Sequence, residues 1–389
     1  MIGRSPSPDD SAAAGGTPVW DDGDWTPLPP LDGDVDADVC VVGLGGAGLS
    51  CVNELIARGV RRVVGVDATA VGGGAGGRNG GFLLAGLSRF HHDVVAAVGR
   101  ERAAAIYRMT MAEIDRMVAA TPSLIRRVGT LRVAESVEEE RDCAAQRAAM
   151  VADGLPVETY DGPEGRGLLF PTDGAFQPLA RCRELARRAV AAGASLYERS
   201  PVVSVDGTGV ATARGRVRCG AVVVAVDGRL DRLLPELASV VRTARLQMLA
   251  TAPVREVVAT RPVYARWGYD YWQQLPDGRV ALGGARDVGG DAEWTTEAVP
   301  TPAVQAALER RLRDGLGVHA PITHRWAAVV GYTADALPIA REVRPAVWAV
   351  GGYSGTGNVL GSLLGRAVGE AVVGGGAAVL GVFDGTGKW

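Results

Sequence analysis

The chain has 389 residues, 47% hydrophobic and 22% charged, with a net charge of −3. That composition supports a large packed core in a globular protein of more than one unit and excludes a fibrous one. No basic block or stripe is present, which argues against a nucleic-acid surface.

Residues 1–34 read as an extended arm rich in Asp, Pro and Gly, pinned to the body by Trp20 and Trp25. The arm lacks the apolar core of a signal peptide. The apolar tail Ala371 to Phe383 is glycine-broken and too short to span a bilayer, so the expectation is a cytoplasmic protein. Asp38 to Val42 is a β-branched run bounded by glycine, the pattern of a buried strand. Gly43 to Gly48 turns directly into a helical pattern ending near Arg58, with Gly59 as its cap. Arg62 to Val66 is the next strand, closed by Asp67, which completes a right-handed βαβ unit.

A glycine-rich loop follows, Gly72 to Gly81. Helices are predicted over 100–120, Ser136 to Val151 and Gln177 to Ala192, with a strand at Thr130 to Val133. Short strands come next at Leu196–Glu198, Pro201–Val205, Val210–Thr212, Val217–Cys219 and Ala221–Val226. Arg242 to Gly284 is strand-like and aromatic-rich, with a Pro276-Asp-Gly turn. A helix is predicted over 301–315, a last buried strand at Val347 to Val350, then the loop Tyr353 to Asn358 and a final helix.

Gly43, Gly45 and Gly48 fit the G-x-G-x-x-G pattern between a strand and a helix, and Asp67 lies 24 positions after Gly43. The chemistry needs those types there. Gly43 permits the tight turn, Gly45 leaves room for a pyrophosphate, and Gly48 lets helix and sheet approach. The helix N-terminus, with Ala47 in its first turn, offers free N–H groups to the phosphates. Asp67, with Ala68 beside it, is placed to meet a ribose hydroxyl, and its charge disfavours a 2′-phosphate. A plain NAD dehydrogenase needs nothing further. Here Arg78 and Asn79 stand among glycines ahead of Gly80 and Gly81, a loop that lets backbone and side-chain donors approach a second anionic group.

Val71 to Gly81 resembles the glycine-rich loop of the D-amino-acid-oxidase superfamily of FAD-dependent oxidoreductases, in particular its glycine/sarcosine oxidase and gamma-glutamylputrescine oxidase-like branch; Gly76 stands where many members have serine. Trp348 to Gly361 resembles the family's closing strand, loop and helix. Trp20 to Leu31, Ala37-Asp-Val, Gln247-Met-Leu and Gly331 to Asp335 are similar to it too. The resemblance implies an α/β fold: a Rossmann-like FAD-binding domain (35–100, 165–235 and 328–389) and a discontinuous α+β substrate domain on a mixed β-sheet (101–164 and 236–327). It further implies that Gly352, Gly355, Thr356, Gly357 and Asn358 lie at the flavin ring, and that Val203 and Ala225 lie along strands that touch FAD. Covalent attachment in this superfamily uses histidine or cysteine. Arg78-Asn79 and Val330-Gly331 offer neither, so the expected FAD is non-covalent.

The implied reaction is oxidation of a C–N bond of a small amine or amino acid by hydride transfer to flavin N5. The imine formed hydrolyses, and the electrons pass to O2 or another acceptor. The alternatives are a simple amino-acid oxidase or dehydrogenase, a biosynthetic FAD enzyme, and a non-catalytic FAD protein on this fold. Tyr264, Trp267, Tyr269, Tyr271 and Trp272 crowd one short stretch. Aromatic faces attract an ammonium ion, and a dry site favours the reactive neutral amine. Tyr271, Gln273 and Tyr353 are expected nearest the reacting carbon, with Tyr269, Trp272, Gln274 and Tyr332 around them. The strand Tyr271 to Pro276 has no arginine to clamp an α-carboxylate, although Arg266, Arg279 and Arg286 flank it. Sarcosine-oxidase relatives place a lysine above the flavin to assist O2, and here Lys388 is the single lysine.

Five cysteines, Cys40, Cys51, Cys143, Cys182 and Cys219, show no CxxC spacing and read as reduced thiols. Four histidines form no metal-ligand pattern, so no metal site is expected.

Overall fold

The computed structural model describes residues 15–375 and 378–384. The first 14 residues of the arm and Lys388 lie outside the described residues.

A six-stranded sheet carries the glycine turn. Its order is Ser195–Tyr197, Val63–Val66, Val39–Val42, Ala221–Val224, Val347–Gly351 and Ile339–Arg344. All neighbours are parallel except the last pair. Every residue of Val39–Val42 and Val63–Val66 is buried, as the two covered faces of a parallel sheet require. The helix Gly46–Ala57 packs along the final long helix, Gly357–Val372, through a stripe of glycines. A Cβ on Gly365 would lie 2.1 Å from the Ala47 carbonyl oxygen, and one on Gly369 would lie 3.1 Å from that of Cys51. Only glycine permits this approach, and it lets the two helices run alongside each other with Gly365 against Ala47 and Gly369 against Cys51.

An eight-stranded sheet forms the other large layer. Its order is Ile322–Tyr332, Arg242–Thr251, Val280–Gly284, Asp270–Gln274, Val263–Ala265, Thr130–Ala134, Gly165–Phe170 and Glu158–Gly162. It is antiparallel except where Val263–Ala265 meets Thr130–Ala134. Helix Pro302–Arg310 covers its outer face, and the last turn, Arg311–Gly315, is widened to a π-helix. A small sheet of Phe82–Leu83, Gly174–Phe176 and Ile125–Arg126 lies between the two large ones in the chain path. A four-stranded sheet holds Val35–Asp36 and the meander Val202–Arg218.

Helix Arg100–Ala120 and helix Val137–Ala152 match their predicted spans to within a residue or two, the latter capped by Ser136 accepting from the Glu139 N–H at 3.2 Å. Two boundaries move. The hairpin Glu158–Gly162/Gly165–Phe170 joins the eight-stranded sheet, so residues 165–170, expected with the FAD-binding segments, pair with Thr130–Ala134 instead. The strand Ile322–Tyr332 pairs along its length with Arg242–Thr251, which carries the broad sheet past the expected limit at 328. The arm is tied down as read: Trp20 Nε1 donates to the Asn79 carbonyl at 2.7 Å and Trp25 Nε1 to Glu198 at 2.9 Å.

Candidate active site

The glycine turn is built as a cradle. Gly43 has φ +101, and a Cβ there would lie 2.5 Å from the Ala225 carbonyl oxygen. A Cβ on Gly48 would strike the Gly43 oxygen at 1.8 Å. Gly45 and Gly46 face the other way: a Cβ on Gly45 meets only Gly76 Cα at 3.9 Å, and nothing lies within 4 Å of one on Gly46. The helix N-terminus has no side-chain cap and no acidic residue in its first turn. Free N–H groups over open space, with no competing carboxylate, fit a pyrophosphate. Asp67 Oδ2 accepts from the Leu44 N–H at 2.8 Å, and Oδ1 from the Thr69 N–H at 2.8 Å and its hydroxyl at 3.0 Å. Burial raises its pKa.

Two loops face each other beyond this cradle. In the first, Arg78 and Asn79 act differently from expectation. The Arg78 guanidinium donates to the carbonyls of Ala327 (3.0 Å), Gly15 (2.7 Å) and Gly16 (2.6 Å) rather than toward an anion. Burial pulls its pKa down to about 10. Asn79 donates to the Ala75 and Gly76 carbonyls and accepts from the Gly81 N–H at 2.9 Å. Both side chains therefore hold the loop, while both still line the cavity beside it. In the second loop, Asp227 gathers three N–H groups: Gly352 at 2.9 Å, Gly331 at 3.1 Å and Tyr353 at 3.4 Å. Burial lifts its carboxyl to about 6. Thr356 is the N-cap of helix Gly357–Val372, again without a side-chain cap bond.

Between these loops and the eight-stranded sheet lies a cavity of about 320 Å³. Asn79 and Gly80 line one side, and Gly355, Thr356 and Asn358 another. Tyr264, Tyr269, Tyr271 and Tyr332 line the sheet wall, with Trp267 there too, 48% exposed. The Tyr271 ring carbons lie 3.2 Å from a Cβ built on Gly80. Burial raises the pKa of Tyr264 and Tyr271, so both phenols stay protonated.

Several expected pocket residues sit elsewhere. Tyr271 and Gln273 share a face of their strand by its alternation. The Gln273 carboxamide is nevertheless spent on the Gly80 carbonyl at 2.5 Å and the Gly81 carbonyl at 3.3 Å, so it is a loop-positioning residue. Trp272 points to the opposite face, 2% exposed, packed in the core under helix Pro302–Arg310 with the Arg311 guanidinium 5.1 Å from its ring. Gln274 shares that face and holds the Val258 N–H and the Glu256 carbonyl. Tyr353 is 5% exposed and turned into the core, 3.5 Å from a Cβ on Gly361, instead of toward substrate. Val203 lies on the four-stranded sheet with its side chain 66% exposed, and Ala225 ends the strand beside Val42. Arg279 pairs with Asp277 and Arg266 with Asp270 and Asp287, while Arg286 lines the cavity stacked against Tyr269, Trp294 and Tyr332.

The sequence reading missed one end of the cavity: Arg132, Tyr107, Gln146, Asp173 and His91. His91 Nε2 is hydrogen-bonded to Asp153 at 2.7 Å. A signal existed for Arg132, a lone cation in the apolar strand Thr130–Ala134. Among the described residues no group of three or more His, Cys, Asp or Glu is placed to hold a metal ion, and no helix is long and apolar enough to cross a membrane.

Residues 38–371 match the model of the family DAO, FAD dependent oxidoreductase. The chain is 27% identical over 374 residues to the probable oxidoreductase OrdL of Rhizobium meliloti, covering 89% of this chain and 85% of that protein. It is 28% identical over 376 residues to the gamma-glutamylputrescine oxidoreductase of Escherichia coli, covering 90% and 87%. Its fold is shared with glycine oxidase from Geobacillus kaustophilus, at a TM-score of 0.72 and 20% identity over 90% of this chain and 96% of that one. With a glycine cradle whose open space fits a pyrophosphate and the family model spanning most of its length, the chain belongs to the DAO family of FAD-dependent oxidoreductases.

Proposed function

We propose that this flavoenzyme oxidises a C–N bond of a small amine, with the six-stranded sheet as its cofactor unit and the eight-stranded sheet as its substrate unit. The observation that carries the reading is the tyrosine-walled cavity set between Gly80 and the start of helix Gly357–Val372. Aromatic faces attract the incoming ammonium ion, and the apolar wall lowers the amine's pKa toward the reactive neutral form. The chemistry a bound flavin supplies is acceptance of a hydride from the carbon beside nitrogen, which leaves an imine that water hydrolyses. The chain's own part is to orient and to exclude water. Gln273 fixes the Gly80 carbonyl, Tyr271 packs on that residue, and Thr356 and Asn358 present a helix N-terminus where negative charge is stabilised.

The gamma-glutamylputrescine oxidoreductase relative supports an amine substrate by its name. A simple α-amino acid is the second reading, favoured by Arg286 on the cavity wall beside Tyr332. FAD is held without a covalent bond: no cysteine lines the cavity, and its histidine, His91, is engaged by Asp153. Acid precipitation should leave all the yellow colour in the supernatant. Comparing amino acids with their decarboxylated amines tests the substrate reading. An α-amino acid, with its carboxylate on the reacting carbon, that reduces the flavin about tenfold faster than its decarboxylated amine or more supports the α-amino-acid reading and overturns the first.

A further inference from the structure

A row of cross-strand partners runs over the broad sheet on the face that walls the cavity. Gly283 pairs with Tyr271, Tyr271 with Tyr264, and Tyr264 with Arg132. Partners in register share a face, and Tyr271, Tyr264 and Arg132 all line the cavity. Neighbouring strands stand about 4.8 Å apart, so Arg132 lies two strands, or about 10 Å, beyond Tyr271. Tyr271 packs on Gly80, at the end where the flavin-side loops meet. Arg132 therefore marks the remote end of the same wall.

The surroundings of Arg132 leave its charge unmet. Its guanidinium lies 4.1 Å from the Phe90 ring centroid and 5.9 Å from that of Phe170. Its polar partner is the neutral carboxamide of Gln146, at 3.2 Å. Burial lowers its pKa, yet arginine does not give up its proton. Asp173 is the nearby carboxyl, but its oxygens accept from the Thr130 hydroxyl at 2.7 Å and the Ala85 N–H at 3.1 Å, and burial lifts it to about 7. A half-buried guanidinium with no carboxylate bonded to it is poorly compensated, and the cavity leaves one side of it open to a ligand.

We propose that Arg132 binds a carboxylate of the substrate, so that the enzyme takes amines whose acidic group lies at the end of the chain remote from the reacting C–N bond. This rests on the reading of the cavity as the amine site. A guanidinium fork offers two parallel donors to such a carboxylate, while the tyrosine row accommodates the methylene chain between.

The test uses the holoenzyme and two matched series: butanoate, pentanoate and hexanoate carrying a terminal amine, and butylamine, pentylamine and hexylamine. Flavin reduction is followed under nitrogen. The wild type is expected to prefer the acids by about tenfold or more in kcat/KM, chiefly through KM. Arg132→Gln is expected to erase that preference, and Arg132→Lys to restore part of it. Binding of glutarate, read as a change in the flavin spectrum, gives a second measurement independent of turnover and is expected to vanish in Arg132→Gln. Thermal unfolding checks that each variant folds. Preference retained in Arg132→Gln, or lost only in Arg286→Gln, overturns the proposal. A wild-type flavin that neither series reduces overturns the amine reading instead, and loss of glutarate binding in Arg132→Gln then still supports the acid site.

Discussion

Asn358 Nδ2 donates to Asn79 Oδ1 at 3.0 Å across 279 residues of sequence. The same nitrogen donates to the Phe82 carbonyl at 2.8 Å. One carboxamide thus joins the glycine-rich loop to the first turn of the last long helix, the two segments that bound the cavity on its flavin side. The relationship explains why Asn79 is not free to meet an anion: its oxygen is shared between Asn358 and the Gly81 N–H.

Asn358→Leu should therefore loosen the cofactor site before it loosens the fold. Two hydrogen bonds are lost, each worth about 1 kcal/mol. FAD should be released about tenfold more readily, read as free flavin fluorescence on dilution, with a small fall in the unfolding midpoint. Unchanged retention would show that the link is incidental.

The glycines divide into two kinds, and substitution should separate them. Gly45→Val projects into open space at the cradle, so the protein should fold and purify colourless. Gly365→Val drives carbon into the Ala47 carbonyl region, where a Cβ would already be at 2.1 Å, and should cost more than about 3 kcal/mol or prevent folding. Circular dichroism and the flavin absorbance together distinguish the two. A yellow Gly45→Val protein would refute the cradle.

Asp173 predicts the direction of one pH dependence. Its pKa in the fold is about 7, above its ordinary 3.8, with burial as the main cause and Arg132 and Arg127 pulling it back. The folded state holds its proton more tightly, so this group's contribution is fully present below pH 4 and is lost as pH rises through about 7. Each unit of difference is worth about 1.4 kcal/mol. Asp173→Asn should flatten stability between pH 4 and 7, measured by urea unfolding. Asp227, raised to about 6, has the same sign and leaves a residual slope. A profile as steep as that of the wild type would contradict the assignment.

Among the described residues there is no lysine, and Arg286 is the cation on the cavity wall beside Tyr332. A guanidinium attracts charge but cannot hand over a proton. We expect slow reoxidation of the reduced enzyme by O2 and faster turnover with another acceptor. Stopped-flow mixing with oxygenated buffer measures it, and reoxidation as rapid as that of ordinary flavin oxidases would dispose of the idea.

The cofactor half of the fold was readable because its signals are local. A β-branched run, a glycine turn and a helix follow one another from Asp38 to Arg58, and the strand and helix observed there lie inside those bounds. Helix His91–Val98 and the strand Ile322–Tyr332 escaped notice, since short or mixed patterns take their state from what they pack against. Site residues were harder for a different reason. Residue type reveals what a side chain can donate or accept, while partner choice depends on contacts distant in sequence. Arg78 and Gln273 have the donors expected of them, but spend these on backbone carbonyls 249 and 193 residues away. The facing of Trp272 was available from strand alternation alone: it lies opposite Tyr271 and so belongs to the core under helix Pro302–Arg310. Arg132 needed only attention to a single charge among Thr130, Leu131 and Val133.

The most direct test of the account is the absorbance of the purified holoenzyme mixed under nitrogen with a panel of primary and secondary amines. The account predicts a protein-bound flavin that at least one amine bleaches, with an aldehyde or ketone formed in equal amount. A protein that binds FAD, yet whose flavin stays oxidised with every amine and amino acid while dithionite reduces it, would contradict the assignment of this cavity to C–N oxidation.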